Sequence, residues 1–157
     1  MPRHSYKKSK TTVEPLFKSH EVTKLINYVM VDGKKSVAQT IVYQVLNKLS
    51  QEKLEPIATL MRAIDNVAPV HEVKPRRLGG ASYMVPIEVR KERRLFLALN
   101  WMINAAKARP NKEFHSFADK LLAEIKEAAQ NQGQAVAKKL STEKLAESNR
   151  AFAHLKW

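Results

Sequence analysis

The sequence predicts a mainly α-helical fold: a single helical domain of about six helices, carrying a protruding two-stranded β-hairpin arm and a basic N-terminal extension. Three observations predict it. Apolar residues recur at helical spacing in segment after segment. One stretch, Val73 to Val89 (VKPRRLGGASYMVPIEV), breaks that pattern with two β-leaning runs that meet at Gly79-Gly80. Hydrophobic residues make up 44% of the 157 residues and glycine occurs only four times, a balance that favours a folded helical body over disorder. The length suits one domain with a real core.

Residues 1–14 read as a basic arm. Arg3, Lys7, Lys8 and Lys10 stand there with hardly anything to bury, so the arm is expected to order only against a phosphate surface, or else to be an ordinary frayed terminus. Residues 15–157 form the helical domain, with the hairpin arm at 70–90. Ser19 caps a first helix from about His20 to Met30, whose Val22, Leu25, Ile26, Val29 and Met30 share a face. Asp32-Gly33 stops it. A second helix follows at once, with Val37, Ala38, Ile41, Val42, Val45, Leu46 and Leu49 as its buried stripe. So short a connection predicts an antiparallel helical pair.

Pro56 opens a third helix carried by Ile57, Leu60, Met61, Ile64 and Val67 and ended by Pro69. After the hairpin comes the longest apolar helix, about Lys91 to Arg109, in which Trp101 reads as a core anchor because Leu97, Met102 and Ile103 crowd it. Pro110-Asn111 breaks the chain. Phe114, Phe117, Ala118, Leu121, Leu122 and Ile125 build a fifth helix, ended by Asn131 to Gly133. The sixth, Ala135 to about Asn149, has only a thin stripe of Val136, Leu140 and Leu145. The chain closes on FAHLKW, whose Phe152 and Trp157 need a cover.

The hairpin register can be derived. If Gly79-Gly80 is the two-residue loop, Leu78 faces Ala81, and Arg77–Ser82, Pro75–Met84 and Val73–Pro86 fall at non-hydrogen-bonded pairs. Both prolines then point their missing N–H outward, where no ladder bond is lost. The ribbon is cationic: from residue 74 to 94, Lys74, Arg76, Arg77, Arg90, Lys91, Arg93 and Arg94 face only Glu88 and Glu92. The bland reading is a solvated edge. A lone ribbon is marginal in water, however, so a body behind it and a partner in front are expected.

Over the whole chain, 28 Lys+Arg against 15 Asp+Glu give a formal charge of +13, a field that attracts nucleic acid first and anionic membrane second. No apolar run approaches the length of a membrane span. Cysteine is absent, which removes disulfides and thiolate metal sites. His4, His20, His71, His115 and His154 are scattered without paired ligand spacing. Gly33-Lys34-Lys35-Ser36 is a poor match to a nucleotide loop, since the upstream glycine and preceding strand are missing. Lys34 and Lys35 lie against the helix dipole, which suits them to join free N–H groups in holding a backbone phosphate. No cofactor, metal, small-molecule substrate or enzymatic activity is expected.

The residues then become recognisable. KPRRLGGASYMVPIEV (74–89), LINYVMVDGKKSVAQTIVYQVL (25–46) and AESNRAFAHLKW (146–157) resemble the bacterial type of small-subunit ribosomal protein seven, nearly end to end. The chain departs from that family where KKLSTEKL (138–145) replaces a more charged run, and where Glu14 replaces the usual aspartate. The resemblance implies an RNA-binding helical domain that binds small-subunit rRNA, organises assembly of the subunit head, and contacts exit-site tRNA through the hairpin and C-terminal helix. It implies neighbouring head and platform ribosomal proteins as partners and a cytoplasmic ribosome as location, with an organelle ribosome left open.

On this reading Arg3, Lys7, Lys8, Lys10, Lys34, Lys35, Lys74, Arg90, Lys91, Arg93 and Arg94 meet rRNA. Arg76, Arg77, Gly79, Gly80, Ser82, Tyr83, Lys144 and Arg150 meet tRNA. Two other classes stand against it. An architectural DNA-binding protein also combines helices with a basic ribbon, but would carry an apolar wedge at the tip in place of Gly-Gly. An RNA-processing enzyme would need an acid/base or metal constellation that the sequence does not offer.

Overall fold

The computed structural model describes residues 12–155; Arg3, Lys7, Lys8, Lys10 and Trp157 lie outside them. The chain order is α1 (His20–Val29), α2 (Lys35–Gln51), α3 (Pro56–Val67), β1 (His71–Leu78), β2 (Ala81–Glu88), α4 (Lys91–Ala108), α5 (Phe117–Ala129), α6 (Gln134–Ser148) and a terminal 3₁₀ helix, Arg150–Leu155. This is the mainly helical fold with one antiparallel hairpin that the sequence predicts.

Local chemistry sets the helix ends. Ser19 Oγ accepts from Val22 N at 3.4 Å to open α1, and Pro56 occupies the first turn of α3. Between α1 and α2 the chain turns through positive φ at Asp32 and Gly33. Phe114 lies outside α5, contrary to the sequence reading. Ser116 accepts from Asp119 N at 3.2 Å and starts the helix there, a capping signal that outweighs an apolar residue two positions earlier.

The core gathers Leu25, Ile26, Leu46, Leu49, Leu60, Leu99, Met102, Leu121 and Ile125, with α5 running against α2, α3, α4 and α6. Trp101 packs on this cluster from its edge. Four expected core positions are exposed instead: Val37, Met61, Leu140 and Leu145. In α2 and α3 the buried stripes run through Ala38, Val42, Val45, Leu46 and Leu49, and through Leu60, Ala63, Ile64 and Val67. Val37 and Met61 sit about 100° off their buried neighbours Ala38 and Leu60. In α6 the contact is made by Ala135, Val136 and Ala146, whose small size brings the helix close and leaves the leucines outside.

Two buried carboxylates organise the polar interior. Glu14 accepts from Leu16 N at 2.9 Å, from Phe17 N at 2.8 Å and from the Tyr43 hydroxyl, while its own N–H donates to Thr23 Oγ1 at 2.9 Å. Burial pushes the Glu14 carboxyl up, but the hydrogen bonds from Tyr43, Phe17 and Leu16 outweigh it and hold it below its ordinary value. The bond to Glu14, then burial and the carboxylate's charge, push Tyr43 up to about 12.

The pair therefore gives stability two pH limits. Glu14 contributes fully above the ordinary carboxylate pKa of 4.5, and loses that contribution as pH falls through its lowered folded value. Tyr43 contributes below 10.0, and loses its contribution as pH rises toward about 12. Denaturant midpoints followed across pH should show both limbs, and Tyr43→Phe should flatten both. Unchanged limbs in that variant would refute the coupling.

Glu124, fully buried, accepts from Arg109 Nε at 3.1 Å, from Arg109 Nη2 at 2.5 Å and from Ala135 N at 3.0 Å. Arg109 also pairs with Glu127, which, ahead of its bond to Glu124, raises its pKa despite burial. Lys120, also buried, closes the α4–α5 turn by donating to Arg109 O and Asn111 Oδ1, both at 2.6 Å. These contacts join the end of α4, the middle of α5 and the start of α6.

The hairpin has the derived register: Leu78↔Ala81, Arg77↔Ser82, Pro75↔Met84 and Val73↔Pro86. Gly79 and Gly80 take φ of 56° and 88°, positive at both central positions as a type I′ turn requires. The ribbon rests against α6 and the 3₁₀ helix. At its root Val89 N bonds Val70 O at 3.0 Å, and Glu143 of α6 accepts from Val70 N at 3.1 Å.

Candidate nucleic-acid interface

Val89 is buried, which anchors the chain as it leaves β2 and fixes where α4 begins. Arg90 is the N-cap residue, in extended conformation and with no side-chain cap, and Arg94 N bonds Arg90 O at 2.9 Å to close the first turn. The amides of that turn have no acceptor within the helix. Lys91, Arg93 and Arg94 follow, with Glu92 as the acid of the turn. Each base at this end works against the helix dipole, at about 0.3–1 kcal/mol when exposed. Such a helix start suits a bound anion.

The root of the hairpin lies beside this turn. Lys74, Arg76, Arg90, Lys91 and Arg93 line one open cleft of about 850 Å³ with Glu72, Glu88, Ile87 and Val89. Glu72 meets Lys74 Nζ and Arg93 Nε, both at 3.4 Å, and the Arg93 guanidinium lies 5.1 Å over the Phe96 ring. Phe96 is held edge-on by Tyr28, with ring centroids 5.4 Å apart. Ion pairs this long, with both cations about half exposed, contribute little, so Lys74 and Arg93 keep their capacity for phosphate.

Arg94 points into an adjoining cleft of about 310 Å³, shared with Glu21, Asp65, Lys91, Met61 and Leu95. Its Nε is buried without a hydrogen-bond partner among the described residues.

Four of the expected rRNA residues, Lys74, Arg90, Lys91 and Arg93, are thus brought together around one cleft. Arg76, an expected tRNA residue, joins them there, and Arg94 lines the adjoining cleft. Lys34 and Lys35 stand elsewhere, exposed at the start of α2, where Lys35 borders a small crevice with Thr12 to Pro15. Among the expected tRNA residues, Arg77, Gly79, Gly80 and Ser82 are exposed at the distal end of the ribbon. Lys144 is exposed on α6, and Arg150 lines a separate cleft with His71, Glu88, Glu143 and Glu147. The Tyr83 ring lies against Phe152, centroids 5.3 Å apart, so Phe152 has its cover.

Sequence reasoning missed Glu72 as the counter-charge of the cleft. The signal was available, since alternation along β1 puts Glu72 on the same face as Lys74. Among the described residues no group of three or more His, Cys, Asp or Glu is placed to hold a metal, and no helix is long and apolar enough to cross a membrane.

A helical body, a projecting ribbon and a cationic cleft at an uncapped helix start together have the form of a polyanion-binding protein. Comparison with known proteins makes this specific. Residues 1–150 match the family described as Ribosomal protein S7p/S5e. The chain is 49% identical to the small ribosomal subunit protein uS7 of Mesorhizobium japonicum, over 99% of its own length and 98% of that protein. It is 46% identical to the proteins of the same name from Brucella canis and Brucella suis, with the same coverage. The chain belongs to the ribosomal protein S7 family. It is a constituent of the small ribosomal subunit and not an enzyme; RNA binding, a role in translation, and small-subunit rRNA and ribosomal proteins as partners follow from the family.

Proposed function

We propose that the cleft between the hairpin root and the start of α4 is the principal rRNA anchor of this protein. The observation that carries the reading is the gathering of Lys74, Arg90, Lys91 and Arg93 around one open groove at an uncapped helix N-terminus. Phosphates held there relieve the adverse dipole and bond the free amides of the first turn. Arg94 extends the anchor, Lys34 and Lys35 supply a second phosphate contact, and the bases of the 1–14 arm order against the same RNA. Residues 15–157 act as the RNA-binding domain, and binding organises the subunit head beside neighbouring head and platform proteins. Nuclease footprinting on small-subunit rRNA with and without the protein tests this. Footprints should fade as salt rises, and log affinity should fall against log salt with a slope of several units. A flat plot, or equal affinity for duplex DNA at matched salt, would refute it.

The distal ribbon has a separate role in this proposal. Arg76 and Arg77 meet the backbone of exit-site tRNA, Gly79 and Gly80 allow close approach beside Ser82, and Lys144 and Arg150 add contacts from the C-terminal side. Leu78 to Ser82 include neither ring of the Tyr83–Phe152 contact nor the Val70–Glu143 bond at the root, so their removal spares those residues. The helical body and rRNA affinity should then survive. Small subunits assembled with the shortened protein should retain less exit-site tRNA than wild type. Unchanged retention in complete particles would refute the assignment, and failed assembly would show that the tip belongs to the rRNA anchor.

A further inference from the structure

A two-stranded ribbon has little stability of its own and, held only at its root, is free to swing. This ribbon is held at a second point. The 3₁₀ helix packs along β2, and the Phe152 ring meets that of Tyr83 at 5.3 Å with the planes inclined by 55°. Tyr83 lies well out from the root and pairs across the ribbon with Arg76. Alternation puts it on the same face as Val85, which is buried.

Phe152 is in turn fixed to the body. Its N–H bonds Asn149 O at 3.0 Å, tying the 3₁₀ helix to the end of α6. Helix α6 is held by Glu124 at Ala135 N, by Lys139 Nζ on Asn66 O at 3.0 Å, and by the burial of Ala146. Glu143 on the same helix takes the Val70 N–H at the ribbon's root. One helix thus grips the ribbon at its base and, through Phe152, partway along its length.

We infer that Phe152 is a positioning residue that sets the posture of the hairpin arm, and that Tyr83 is its seat rather than a surface for stacking a nucleotide base. The posture follows from contacts within the chain alone. Its consequence for tRNA, delivery of Arg76 and Arg77 at a fixed angle, rests on the functional reading above.

Hydrogen exchange on the free, full-length protein tests the posture. Phe152→Ala should speed exchange of the hairpin amides between Val73 and Val85 by about tenfold, leave α1 to α5 unchanged, and be reversed by Phe152→Tyr. Unchanged hairpin exchange would overturn the inference. So would a rise spread over α1 to α5, because Phe152 would then be holding the body. In assembled small subunits, Phe152→Ala and Tyr83→Ala should lower exit-site tRNA retention alike. Loss with Tyr83→Ala but not with Phe152→Ala would overturn the seat and make Tyr83 a direct contact. Faster hairpin exchange with retention intact in both variants would uphold the posture and refute the exit-site role of the ribbon.

Discussion

Reversing charge at Arg90 and Lys91 together (Arg90→Glu, Lys91→Glu) is expected to weaken binding to small-subunit rRNA about a hundredfold at physiological salt, and to shallow the salt slope by about two units. The same change should leave α4 as stable as before or slightly more so, because two acids now sit at the positive end of its dipole. Binding and stability thus move in opposite directions, an outcome that misfolding cannot imitate. Both side chains are exposed, and neither forms an ion pair among the described residues. Arg93 and Arg94 are poorer targets for reversal. A glutamate at 93 would oppose Glu72, and one at 94 would enter a cleft already holding Glu21 and Asp65. Filter binding across a salt series, with circular dichroism and thermal melts on the same samples, provides the check. Normal affinity in a folded double variant would remove the α4 start from the interface.

The largest effect on stability is expected at Glu124. Glu124→Ala strips Arg109 of a fully buried partner and leaves Ala135 N without its acceptor. The Arg109 side chain is only 12% exposed, and its remaining partner, Glu127, is 40% exposed. Breaking a buried pair from one side costs about 3–5 kcal/mol, or roughly 10 °C in melting temperature for a domain of this size. Glu124→Gln should cost less, because it keeps an acceptor for Ala135 N. Replacing both partners, with Glu124→Leu and Arg109→Met, should recover most of the loss, because neither charge of the pair is then left buried without the other. A loss below about 1 kcal/mol in urea denaturation of Glu124→Ala would show that water or Glu127 can replace the buried carboxylate.

Much of the arm was legible before the fold was known. Gly79-Gly80 and the placement of Pro75 and Pro86 fixed the hairpin register, because turn chemistry and a missing N–H act within a few residues of themselves. Ser19 and Pro56 marked helix starts for the same local reason. Six of the bases expected to meet rRNA or tRNA, Lys74, Arg76, Arg90, Lys91, Arg93 and Arg94, fall together at the root of the ribbon, since they are close in sequence around one turn of chain. Lys34 and Lys35 do not join them. Their distance in sequence from β1 and α4 left their placement to the packing of α1 and α2.

By itself, then, the sequence determined this protein's helical class, its ribbon and that ribbon's register, its excess of positive charge, and its family. Tertiary structure alone decided three things. It chose which face of α6 is buried, because a helix of weak amphipathicity carries no instruction stronger than the fit of Ala135, Val136 and Ala146 against their neighbours. It made Glu124 an interior residue, because a carboxylate is stable there only once α4 delivers Arg109 from 15 positions away. It also set Phe152 against Tyr83, since the two rings belong to segments that meet only after α6 has docked. Periodicity and turn chemistry are local and can be read from one stretch of chain, whereas a buried charge pair and a brace between distant segments exist only once the body has closed around them.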